Sequence, residues 1–544
     1  MKFLSNSLLL VIFLLSACQS AEKQDELTQD AQLGNIDISF SSGISEAKKS
    51  LEKGMLLLHS FEYDDARTVF RKTQEINSEI PMAVWGEAMT FNHPLWRRQY
   101  RDSAQLILTK LGLTKEERIA KGKNPIEKRF LEAAEVLFSD KEKKERDQEF
   151  KDFMQQFHED YPDNHEVSAF YALSLLGSVA VERDEAVFHQ SAEIVQSIIN
   201  NNSQHPGALH YLIHAYDDPV NAPKALKAAN NYAKVAPDAA HALHMPSHIY
   251  VALGMWEDVV SSNEASYAAS VNRMKKLDLD HDARSFHALH WLMYAYLQQG
   301  RLMEAKQLMH DMIFFAEKSN SDRSIAYFIS MKATYLVETG LWNTSIADTE
   351  IDLDNINISK KALYRFCDGM KAYHKKDFTT LRTTILQMES ERQEVTTLMA
   401  EEGVPMCNAN GPYAKGANKL DISQAHILEM ELRALYAHTQ EKPAVAENWF
   451  KEAIKLEKNT TYSYGPPAIA QPSFELYANW LLEQERYDEA NEQFEKSLAR
   501  GPKRLQALRG QLAAAKAIKN AKAIDQIKST IASILKDKEQ LSTL

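Results

Sequence analysis

The sequence predicts an all-α protein in which helical hairpins repeat along the chain as an α-solenoid. Two observations carry that reading. From about Ile44 onward, apolar residues recur at the three-to-four-residue spacing of a helix face, in segments separated by short turns, and no alternating strand pattern interrupts them. In addition, His210 and His214 return 34 residues later as His244 and His248, so a unit of fixed length repeats. A net charge of −12 with acids and bases interspersed gives no basic stripe that could track phosphates, so nucleic acid is not an expected partner.

The chain opens with a segment outside this pattern. Lys2 supplies a positive start, Leu8 to Leu15 an apolar core, and Leu15-Ser16-Ala17-Cys18 a processing site, so residues 1–17 read as an export signal. This run resembles the lipobox of bacterial lipoproteins. The resemblance implies cleavage before Cys18, acylation of that cysteine, and a lipid-anchored protein of the cell envelope. A plain secretory signal with an incidental cysteine is the alternative. Gln19 stands where an aspartate would imply retention at the inner membrane, so the resemblance favours the outer membrane. Residues 18–43, polar and rich in acids, are expected to form a flexible tether. No second apolar run has the length needed to span a bilayer. The two other cysteines, Cys367 and Cys407, make no metal motif, and whether they pair is left open.

The body, residues 44–544, carries small and aromatic residues at recurring offsets. The first hairpin has Gly54, Leu57, Tyr63, Ala66 and Phe70. Another has Ala434, Ala437, Ala446, Phe450 and Ala453, and a late one has Ala478, Leu481, Tyr487, Ala490, Phe494 and Pro502. Small residues let two helices approach, and the aromatic ring fills the space beside them. Gly254, Gly300 and Gly340 read as the turns between paired helices. These offsets resemble tetratricopeptide repeats (TPR), most clearly near 47–80, 240–273, 286–319, 427–460 and 471–504, with some repeats lengthened. Residues 113–149 are too charged and weakly patterned to assign and are expected to form an irregular helical insertion. Two stretches, 402–419 and 459–472, are rich in glycine and proline and are candidates for covers on a groove or for plain connectors.

The histidines concentrate in one region. Nine of the eighteen lie between His205 and His290, about three times an even spread. The resemblance to TPR implies that the second, fifth and ninth places of a repeat face a concave groove. Taking Gly254 as the turn glycine puts His241, His244 and His248 at those places, His287 and His290 at the second and fifth of the following repeat, and His210 and His214 at the fifth and ninth of the preceding one. Spacings of three, four and seven keep side chains on one helix face independently of the resemblance. Imidazoles so placed suit zinc, copper, iron or nickel. His93 falls near the thirteenth place of the second repeat, where it would close the site from one end.

Neither His210-x-x-x-His214 nor His244-x-x-x-His248 has glutamate after its first histidine, so neither is the metalloprotease helix motif. Asp217 and Asp218 read equally as ligands, as hydrogen-bond partners that orient a ligand, or as a helix stop before Pro219, and Pro246 as a kink or a helix start. Tyr294 and Tyr327 fall among the groove positions, where tyrosine stacks on a sugar or orients a metal-bound water, although ordinary packing explains either one alone. Two functions follow. One is an envelope lipoprotein whose TPR groove binds a protein, peptide or glycan, with an accessory role in nutrient or polysaccharide utilisation. The other is a metal-dependent enzyme or metal-binding protein built on the histidines.

Overall fold

The computed structural model describes residues 31–41, 43–179, 183–396, 417–460 and 465–537. Cys18, Cys407 and most of the 402–419 stretch lie outside these residues. Within them the protein is helical almost throughout, a succession of antiparallel helical hairpins. No helix of the described residues is long and apolar enough to cross a membrane.

The pairing follows from the offsets read in the sequence. Helix Ser45–His59 packs on Tyr63–Ile76, which packs on Pro81–Met89. Gly54 and Gly86 lie so close to the Phe70 ring that a Cβ at either would collide with it. That is the physical meaning of glycine and phenylalanine at fixed spacing. Later, Lys419–Thr439 pairs with Pro443–Lys458, and Ser473–Glu483 with Tyr487–Arg500. The charged stretch 113–149 forms ordinary helices, Lys115–Ala120 and Pro125–Leu137 and the start of Lys143–Asp160; Thr114 closes a capping box on the first and Asn124 caps the second.

The chain divides into two compact units. One comprises the residues up to Tyr216 with Lys224–Pro246 and Ala265–Arg284; the other comprises Asp217–Pro223, Ser247–Glu264 and Ser285 onward.

Two features of the first unit depart from the sequence reading. Residues 31–41 are not a flexible tether. They run extended across the unit with Leu33, Ile36, Ile38 and Phe40 buried. The amide of Asn35 donates to the Gln204 carbonyl at 2.9 Å, and Asn124 Nδ2 donates to the Ser39 carbonyl at 3.1 Å. Phe40 meets the rings of Phe130 and Trp85 edge-on, at 5.5 and 6.4 Å between centroids. The apolar side chains outweigh the polar average of the segment because each alternate one reaches the core. The second departure is a small antiparallel pair, Asn92–His93 with Arg98–Gln99, wrapped around the short helix Pro94–Trp96.

Candidate metal centre

The first unit brings three predicted histidines together. His210 and His214 lie one turn apart on helix Pro206–Ala215, and His241 lies in the first turn of the short helix Ala240–His244. One nitrogen from each of the three lies within 4.8 Å of the others. His210 and His214 are fully buried, and His241 keeps partial exposure.

Backbone hydrogen bonding sets the chemistry of His210. Its Nδ1 lies 2.8 Å from the carbonyl oxygen of His59, which can only accept, so Nδ1 carries the proton and Nε2 presents a lone pair. That Nε2 faces His214 Nε2 at 3.1 Å. Two imidazole nitrogens on one tetrahedral metal at ordinary bond lengths stand about 3.3 Å apart. The pair is therefore spaced for a shared cation with little rearrangement.

Aromatic rings build the walls. Phe61 packs on His210, His214 and His241, with centroids at 4.4, 6.4 and 5.7 Å. Trp96 meets His241 at 6.1 Å and His93 at 5.2 Å. His93 thus belongs to the same aromatic wall but not to the three-nitrogen group. It stacks on Tyr63 at 4.0 Å, donates from Nε2 to the Thr90 carbonyl, and has no hydrogen bond at its buried Nδ1. Burial pushes its pKa down to about 4, which keeps the ring neutral. At the rim, Glu62 accepts the backbone N–H of His241 at 2.9 Å. Burial and the neighbouring Asp65 raise its carboxyl to about 7.

Behind this group lies a cluster that the sequence reading did not find. Glu166, on His165–Ser178, accepts from His59 Nε2 at 2.8 Å and from His205 Nε2 at 3.1 Å, all three being buried. His59 Nδ1 accepts from the Tyr211 hydroxyl at 2.8 Å, and His205 Nδ1 accepts the amide of Ala208. Burial would raise the Glu166 carboxyl, but His59 and His205 outweigh it and hold it well below the usual carboxylate range. His205 is shifted down by burial in turn. Every ring nitrogen of the two histidines has a partner, so the cluster is a closed hydrogen-bonded support. It fixes His59, whose carbonyl orients His210.

The second unit holds other predicted residues. His248 Nδ1 bonds Asp217 Oδ2 at 2.5 Å, and its ring packs on Trp291 at 4.6 Å and beside His287 at 6.5 Å. Asp217 is thus a histidine partner, while Asp218 caps a turn by accepting the amides of Val220 and Asn221. His287 Nδ1 meets the Tyr327 hydroxyl at 3.3 Å, and His290 Nε2 meets the Thr334 hydroxyl at 2.9 Å. Burial and the Lys360 ammonium push His290 down to about 3. Tyr294 is buried, its hydroxyl accepting from Arg504 at 3.2 Å. Gly465, at φ +115°, lies against the Trp291 ring, where a Cβ would collide.

His244 lies in the first unit, its ring 6.2 Å from that of His241, and the helix breaks after it to restart at Pro246. The expectation that all seven histidines look into an open groove meets a different outcome. His210, His214, His244, His248 and His287 are buried, whereas His241 and His290 keep some exposure. In the first unit the Phe61 ring packs on His210, His214 and His241, and in the second the Trp291 ring packs on His248 and His287.

No protein-family model matches this chain, and no curated protein matches it. Among solved structures, it is similar to a human IFIT1 dimer with m7Gppp-AAAA, at 13% identity over 95% of each chain with a TM-score of 0.35. Yeast Tom70 is similar at 12% identity, over 90% of this chain and 93% of that one, with a TM-score of 0.33. The TPR domain of P58(IPK) is similar at 13% identity, over 88% and 99%, with a TM-score of 0.22.

Proposed function

We propose that this protein is an envelope lipoprotein, anchored through Cys18, whose first unit binds a divalent transition cation through His210, His214 and His241. The observation that carries the reading is the convergence of three imidazole nitrogens within 4.8 Å in a buried setting, with the His210 tautomer set by the His59 carbonyl. An all-imidazole set suits zinc, copper or iron and disfavours calcium or magnesium, which take oxygen ligands. Three protein ligands leave a position for water or substrate, as catalytic sites do and closed structural sites do not. His241 is the partly exposed member of the group, and the Glu62 carboxyl accepts its backbone N–H.

Cobalt(II) titration tests the reading, because tetrahedral cobalt absorbs strongly in the visible and octahedral cobalt weakly. The chelator-stripped full chain should develop the intense band at one equivalent, and the His210→Ala/His214→Ala variant should not. A weak octahedral spectrum in both proteins would remove the proposal.

A second reading, partner binding by a polar groove, has one observation in its favour. In the second unit, successive inner helices Phe286–Gln298, Asp322–Thr339, Ile358–His374 and Lys419–Thr439 are joined by side-chain hydrogen bonds. His290 meets Thr334, Lys360 donates to Ser330 at 2.8 Å, and Asp421 accepts from Ser359 at 2.9 Å. Burial lowers Lys360 to about 8. Such a polar line offers donors and acceptors to a peptide or a glycan. Loss of glycan or peptide capture on Lys360→Ala, with metal content unchanged, would separate the two readings.

A further inference from the structure

The second unit contains a cleft unrelated to the histidines. The segment 465–472 covers it, and Trp256, Ile469 and Phe474 supply apolar walls. Arg504 forms part of the lining, but its donors are taken. Nε and Nη2 bond Glu475, Nη1 bonds Glu338 and the Tyr294 hydroxyl, and Nη2 also reaches the Ala470 carbonyl. Trp256 Nε1 is likewise engaged, by the Lys503 carbonyl at 3.1 Å.

Among the described residues, the polar groups on the lining that are not engaged include Ser497 and Arg500. Ser497 is 3% exposed and its Oγ makes no hydrogen bond. Arg500 lies three residues on, on the same face of helix Tyr487–Arg500, and lines the same cleft. It feels the charge of Glu457 but makes no hydrogen bond or ion pair to a described residue. The Glu457 carboxylate is itself turned to the Ser473 amide, which it accepts at 2.8 Å. A buried hydroxyl without a partner is costly, and a guanidinium fork in an apolar cleft matches a planar carboxylate. Apolar walls with a few convergent polar groups are the usual make-up of a small-molecule site.

We propose that this cleft binds a small organic carboxylate with an apolar, ring-sized body. Arg500 receives the carboxylate, the Ser497 hydroxyl donates to one of its oxygens, and the body lies against Trp256 and Phe474. The site is independent of the histidine group, so neither proposal depends on the other.

Isothermal titration of the full chain with indole-3-acetate and octanoate, against indole-3-acetamide and 1-octanol, tests it. At least one carboxylate should bind in preference to its uncharged analogue. Arg500→Gln should weaken that binding about tenfold or more and abolish the preference, and Ser497→Ala should weaken it by a smaller factor. Arg500 is partly exposed, so the substitution should leave the fold intact, as a thermal melt would verify. Failure of all four probes to bind, equal binding of the uncharged analogues, or unchanged affinity in Arg500→Gln would each overturn the proposal.

Discussion

His210 Nδ1 donates to the carbonyl oxygen of His59, 151 residues earlier in the chain, across 2.8 Å. One backbone acceptor thereby decides which nitrogen of a buried imidazole is bare. The bare Nε2 is the one that faces His214. The position of His59 is in turn secured by Glu166 and Tyr211, so the geometry of the candidate centre rests on a carboxylate that does not belong to it.

Replacing that carboxylate should be costly. In Glu166→Gln the amide NH2 would face an imidazole N–H, because both His59 and His205 donate from Nε2. A charge-assisted bond is lost and a buried donor is left facing a donor, a cost of about 2 to 3 kcal/mol. Urea denaturation of the variant should show that loss, with the slope of the transition preserved.

Two buried rings of the first unit should weaken it in acid, while Glu62, whose carboxyl burial raises to about 7, works the other way as pH falls below that value. His93 and His205 have folded pKa values below 6.5, with His93 near 4. Above pH 6.5 both states of the protein leave these rings neutral, so the stability is fully present. Below pH 6.5 the unfolded chain takes up protons that the folded one refuses, and stability falls. For His93 alone the loss between pH 6.5 and 4 is roughly 3 kcal/mol. Because Glu62 titrates alike in both proteins, the difference isolates the ring: across this window the wild type should lose melting temperature relative to His93→Phe as pH falls.

The extended segment 31–41 should be integral to the first unit. Phe40→Ala removes a buried ring packed on Trp85 and Phe130 and should cost about 3 to 5 kcal/mol. Limited proteolysis offers a second reading of the same point: cleavage within 31–41 should be slow in the wild type and fast in the variant.

In the second unit, Arg504 neutralises Glu338 and Glu475 in a buried network. Arg504→Ala strands both carboxylates and should cost about 3 to 5 kcal/mol or prevent folding. Adding Glu338→Gln and Glu475→Gln should recover much of that loss, which thermal melts of the single and triple variants would reveal.

The parts legible in the sequence were those written in local period. Helical hairpins follow from offsets such as Gly54 to Phe70, and the pairing of His210 with His214 follows from one helical turn. The support cluster was not legible, because His59, Glu166 and His205 lie in three hairpins and share no spacing. A signal for residues 31–41 was present: Ile36-Asp37-Ile38-Ser39-Phe40 alternates with period two, the mark of an extended segment with one buried face. The polar composition around it masked the alternation. The burial of His248 and His287 depended on Trp291, with Gly465 pressed on its ring from far along the chain.

The most direct test of the account is elemental analysis of the full chain purified without a histidine tag, beside its His210→Ala/His214→Ala variant and a His310→Ala control. Near-stoichiometric zinc, copper or iron is expected in the wild type and the control, and its loss in the double variant. A fully folded wild-type protein that carries no transition metal and takes none up from solution would contradict it.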